Sequence, residues 1–117
     1  MLFMLIVKAS ANSETGNLPN PELEAAMTKY NEELVKAGVR IMAKGLHPST
    51  NGLRLSFPEP GGRPVVTDGP FTESKELIAG FILIDVNSRE EAIGWAMRMP
   101  DPQGHGEGQI ELRQVFE

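Results

Sequence analysis

Cysteine is absent from the 117-residue chain. That excludes disulfide frameworks, thiolate nucleophiles and cysteine-based metal sites. Histidine is scarce: His47 and His105 stand alone, with no HxH or HxxxH spacing, so no metal site is expected. Long apolar runs are missing too. Met1 to Val7 and Leu77 to Val86 are too short for a membrane span, and the second contains Gly80 and Asp85. The opening lacks a basic segment and a small-residue cleavage site, so it does not read as a signal peptide. Positive charge is in deficit, with Lys plus Arg at 11, Asp plus Glu at 16 and a formal net charge of -5. Phosphate contacts need a basic face, so a nucleic-acid partner is not expected. Gly-His-Gly-Glu-Gly at 104–108 lacks the Lys and Ser or Thr of a phosphate loop. No serine occupies a nucleophile elbow, and no cofactor is expected. A cytoplasmic protein, free of membrane and nucleic acid, is the class left.

What is present suits a folded domain. The length fits one domain over residues 1–117, and 40% of the chain is hydrophobic. A domain this small buries a modest share of its surface and gains by oligomerising. Met1 to Lys8 predicts a strand apolar on both faces. Ala9 to Pro19 predicts a polar loop without regular structure. Asn20-Pro21-Glu22 predicts a helix start: an N-cap, a proline in the first turn, then acids. Leu23, Ala26, Met27, Tyr30, Leu34 and Ala37 follow on one face, and Gly38 closes the helix. From Val39 to Leu46 the pattern alternates, with Val39, Ile41 and Ala43 directed one way. Leu53, Leu55 and Phe57 alternate with polar residues, and Arg63 to Thr67 can pair back across a Pro- and Gly-containing turn. Leu77 to Val86 predicts the longest strand. Ser88-Arg89-Glu90-Glu91 predicts a capping box opening a second helix. Ala92, Ile93, Trp95, Ala96, Met97 and Met99 would form its buried side. Ile110, Leu112 and Phe116 would fall on one side of a last strand.

This order predicts an α+β, ferredoxin-like βαββαβ domain with an added hairpin. Its two central strands should be the two segments that are apolar on both faces. Both helices connect on one side, so they would cover one face of the sheet only. The other face would be bare and apolar, an unusual surface for a monomer. A second copy packed face to face would cover it, which predicts a homodimer forming a dimeric α/β barrel.

The densest polar cluster runs from Asp68 to Glu76. Asp-Gly-Pro is strong turn chemistry: Asp68 would cap its own backbone, Gly69 would take positive φ and Pro70 would set the exit. On that reading Phe71 plugs the core, and Lys75 and Glu76 are solvated. The functional alternative takes Asp68 as a general base with His47 as its proton partner. Phe71, Lys75 and Glu76 would then line a ligand pocket between sheet and hairpin. His47 by itself, just before Pro48, reads equally as a solvated turn residue.

The segment Asp68-Gly69-Pro70-Phe71-Thr72-Glu73-Ser74-Lys75-Glu76 resembles the DGPF(A/T)E(T/S)KE hallmark of the DGPF group of YCII-related proteins. The likeness extends upstream to Gly45-Leu46-His47-Pro48-Ser49. Downstream it takes in Ala79-Gly80-Phe81, Trp95-Ala96, Met99-Pro100 and the ending from Ile110 to Glu117. The resemblance implies a bacterial, cytosolic, dimeric α/β barrel. It implies a cleft in which a His and Asp pair could act as acid and base, although the first helix here, 22–37, carries no histidine. It also implies a link to sigma factors of the extracytoplasmic type. Two functions stay open: a small-molecule binder or acid–base enzyme, and a non-enzymatic accessory protein that binds a protein partner such as a sigma factor.

Overall fold

Strand β1 (Leu2–Lys8) lies at the heart of an antiparallel sheet, hydrogen-bonded on one side to β5 (Ile78–Asp85) and on the other to β6 (Ile110–Gln114). Strand β2 (Arg40–Gly45) pairs with the outer side of β5, so the order is β2-β5-β1-β6. A separate two-stranded sheet joins β3 (Leu53–Ser56) to β4 (Val65–Asp68). The helices are α1 (Ala11–Glu14), α2 (Pro21–Lys36) and α3 (Arg89–Met97). This computed structural model describes residues 1–16, 20–73, 76–104 and 106–117. The arrangement is the ferredoxin-like order with an inserted hairpin, and the two expected central strands are the central ones.

Local chemistry starts each long helix where the sequence predicts. The Asn20 side chain accepts from the Leu23 N–H at 2.8 Å, and Pro21 opens α2. The Ser88 side chain accepts from the Glu91 N–H at 3.1 Å. The returning half of the expected capping box is displaced by one residue: the Glu91 carboxylate accepts from the Asn87 N–H at 3.0 Å. The segment expected to lack regular structure contains α1, a single turn. Ser10 caps it reciprocally, accepting from the Ser13 N–H while the Ser13 hydroxyl oxygen accepts from the Ser10 N–H. A part-buried side-chain bond also holds that turn, from the Ser10 hydroxyl to Gln103 Oε1 at 3.0 Å.

The core lies between one face of the sheet and the long helices. Phe3, Leu5, Ile82 and Ile84 from the strands meet Tyr30 and Leu34 of α2 and Ala92 and Trp95 of α3. Phe3, Leu5, Leu34 and Ile84 are at most 2% exposed. Tyr30 donates to the Trp95 carbonyl oxygen at 2.6 Å, and the two rings meet edge to face at 6.3 Å. Burial pushes the Tyr30 phenol up from 10.0 to about 12, with Arg98 opposing and Glu33 adding.

Four expectations about the core change. Ile41 is exposed, because the register shifts between Arg40 and Met42 and the alternation breaks there. Met97 is exposed, since the core-facing residues of α3 are Ala92, Trp95 and Ala96, with Met99 following just past its end. Phe116 is exposed because β6 ends at Gln114. Ala37 is exposed as the C-cap of α2.

The face away from the helices is the bare one. Met4 pairs with Leu83 and Ile6 with Phe81, and these four stay half-buried beside the exposed Met42. The chain measures 45 × 36 × 19 Å and has a Cα radius of gyration of 16.0 Å. A compact domain of this length would show about 13 Å. Among the described residues, no helix is long and apolar enough to cross a membrane.

Candidate functional site

The turn Ser49–Asn51 and the first residues after β4 are held together at the base of the hairpin. Gly69 donates its N–H to the Gly52 carbonyl at 2.9 Å. Its backbone is so close to Ser49 that a Cβ there would fall 1.6 Å from the Ser49 carbonyl oxygen. Glycine is therefore required at 69 by contact and not by φ, since Gly69 is absent from the positive-φ positions. The Gly69–Pro70 peptide is cis. Phe71 then donates its N–H to the Ser49 hydroxyl oxygen at 3.0 Å, and its half-buried ring lies 4.1 Å from the Arg54 guanidinium.

Ser49 is the hub of this cluster. Its N–H donates to Glu14 Oε2 at 3.0 Å, and its hydroxyl donates to Glu14 Oε1. Thus α1, the turn after β2 and the Asp-Gly-Pro-Phe segment converge on one serine. A hydroxyl aimed at a carboxylate is a polar pair of the type that orients or deprotonates a ligand, and here it also ties the hairpin down. Sequence reading missed Glu14, which sat in a stretch read as loop. Ser49 was legible only as part of the Gly-Leu-His-Pro-Ser segment.

A groove of about 1070 Å³ opens between α2 and the β2 side of the sheet. Val7, Ala43, Gly80 and Ile82 form its floor, and Met27, Asn31 and Val35 of α2 form its wall. Ser13, Gln103 and Pro48 close one end, next to the Glu14–Ser49 pair. Lys36, Arg40 and Lys44 line it along with Glu24 and Glu32. Arg40 bonds the Asn31 amide oxygen at 3.3 Å. Gly80 allows β2 to run close: a Cβ there would lie 2.8 Å from the Lys44 carbonyl oxygen.

Of the residues singled out from sequence, His47, Asp68, Phe71 and Glu76 are described, and none of the four is in the groove lining. His47 is exposed, between the lining residues Leu46 and Pro48. Asp68 is exposed at the end of β4, opposite Leu53. Among the described residues, nothing donates a hydrogen bond to its carboxylate, so the expected capping of its own backbone is not made there, and no bond or ion pair joins it to His47. Glu76 is exposed, its N–H donating to the Glu73 carbonyl at 3.0 Å. Lys75 and His105 lie outside the described residues. Among the described residues, no three His, Asp or Glu side chains group as metal ligands.

The YCII-related domain model matches residues 1–117, and the chain belongs to the YCII-related family. An uncharacterized protein of Rhizobium meliloti (strain 1021) is 39% identical over 75 residues, 64% of this chain. The chain spans little more than half, 56%, of that relative's length. Among solved structures, 5-chloro-2-hydroxyhydroquinone dehydrochlorinase (TftG) of Burkholderia phenoliruptrix AC1100, in complex with 2,5-dihydroxybenzoquinone, superposes with a TM-score of 0.49 at 17% identity. That likeness covers 95% of this chain and 91% of the other.

Proposed function

We propose that the chain binds a small organic molecule in the groove beside α2, as a cytoplasmic homodimer with its sheets facing across the bare side. The observation that carries the ligand reading is the groove itself: an apolar floor with polar groups at its margin, of the size a small molecule fills. The half-buried patch of Met4, Ile6, Phe81 and Leu83 supports the facing sheets. Asp68 and His47 are the proposed proton-transfer pair at the rim, with Phe71, Lys75 and Glu76 as ligand contacts. This makes an acid–base step the chemistry of choice.

Anilinonaphthalene sulfonate, an apolar anion, is the probe for the groove. One molecule should bind per chain, and Ala43→Trp should abolish that binding by filling the floor. Binding unchanged in Ala43→Trp would place the probe elsewhere and remove the support for this site. For the proton pair, the NMR shifts that the probe induces at His47 should differ between the parent and Asp68→Asn; identical shifts would show that the two groups do not act together. A protein partner such as a sigma factor would use a surface outside the groove, so its binding would survive Ala43→Trp.

A further inference from the structure

We infer that the β3–β4 hairpin is an interaction arm whose apolar face lies against a second copy of this chain, which rests on the facing-sheet homodimer proposed above. The register sorts the arm into two unequal faces. Leu53 opposes Asp68 and Leu55 opposes Val66, so three apolar residues share one face, with Asp68 at its root end. Arg54 opposes Thr67 and Ser56 opposes Val65, so the other face carries three polar residues and Val65. Leu53, Leu55 and Val66 are 57%, 50% and 57% exposed, and Phe57 just beyond them is exposed as well. An isolated two-stranded hairpin is marginal in water and needs cover on its apolar face.

The arm is nevertheless fixed at its root. The Gly69–Gly52 backbone bond, the Phe71–Ser49 bond, the Glu14–Ser49 pair and the Arg54–Phe71 stack set its exit direction. A firmly rooted arm with an uncovered apolar face is pre-organised for docking, because little ordering remains to oppose association. A second copy is the occupant because the same chain carries another uncovered apolar surface, the sheet face of Met4, Ile6, Phe81 and Leu83. A twofold contact uses one self-complementary surface twice and can cover both patches on both copies.

The absence of cysteine makes the test direct. Leu55→Cys and Val66→Cys place single thiols on the apolar face, Val65→Cys places one on the opposite face, and Met4→Cys places one on the sheet. Each folded variant is reacted with a disulfide reagent above and below the concentration at which light scattering reports the 12.8 kDa monomer. At high concentration the thiols at 55 and 66 should react about tenfold more slowly, as expected when roughly nine in ten arms are covered. The thiol at 65 should stay reactive. Slowing at position 4 but not at 55 or 66 would overturn the arm and leave the facing sheets standing. Slowing at 55 and 66 at every concentration would put the cover within one chain and overturn it equally. A monomer mass throughout, with no slowing anywhere, would sink the dimer and the arm together.

Discussion

The helix side of the sheet and the hairpin arm are built from the same residue types and meet opposite fates. Leu5, Leu34 and Ile84 are fully enclosed, while Leu53, Leu55 and Val66 are half or more exposed. The sheet's two central strands are apolar on both faces, α2 and α3 follow helical spacing, and the arm alternates apolar with polar residues. The difference is that the sheet receives two long helices on one side, whereas, among the described residues, the arm's two strands pair only with each other. Apolar patterning therefore marks a surface that needs cover, and does not say whether its own chain supplies it.

The largest effect should separate the two regions. Leu34→Ala or Ile84→Ala should cost about 2–5 kcal/mol, because each empties a site that cannot collapse. Leu55→Ala, in chain diluted to the monomer, should stay within about 0.5 kcal/mol, as surface changes do. Denaturant titration of the variants beside the parent measures both. Equal losses would erase the comparison.

Between the regions stands Ser49. Ser49→Ala removes the hydroxyl bonds to Glu14 and Phe71 and should cost about 1–3 kcal/mol locally, since the Glu14 carboxylate and the Phe71 N–H lose a partner. Hydrogen exchange should quicken at the Gly69 and Phe71 amides and not at Leu5 or Ile82. Acceleration across all four would mean that arm and sheet open as one unit.

Within the core, Tyr30→Phe should cost about 0.5–1.5 kcal/mol for the bond to the Trp95 carbonyl. The folded phenol titrates at about 12 against 10.0 unfolded, so folding favours the protonated form. Its contribution is whole below pH 10 and should fade as pH rises through 12. The chain has a single tyrosine, so phenolate absorbance reads this group alone. Stability that falls equally between those limits in Tyr30→Phe would assign the loss to other groups.

The smallest effect is expected at Asp68. Its side chain is exposed and, among the described residues, accepts no hydrogen bond, so Asp68→Ala and Asp68→Asn should each move stability by less than about 0.5 kcal/mol. Midpoints indistinguishable from the parent would leave function as the reason for the acid. A loss near 2 kcal/mol in both would show a structural role and draw the arm's root into the folding core.

Much of this molecule could be read from its residues because the signals were local. Asn20-Pro21 and Ser88 mark helix starts through bonds that span three residues. The two strands apolar on both faces became the two in the middle of the sheet, each with a neighbouring strand along both edges. The bare face followed from counting helices. Errors came where one residue changed the phase, as in the register shift that turned Ile41 outward.

The candidate site was legible only in part, since its parts are distant in sequence. Nothing near Glu14 signals that its carboxylate will meet Ser49, 35 residues on. Gly69 looked like a turn glycine needing positive φ, and its reason is instead the Ser49 backbone pressed against it. The amino-acid sequence by itself determined the strands and the two long helices, their order and the family resemblance, because propensity, capping and alternation act over a few bonds. The tertiary structure alone decided the groove, the Glu14–Ser49–Phe71 junction and the exposure of Asp68 and His47, because these depend on how segments far apart in the chain pack in space.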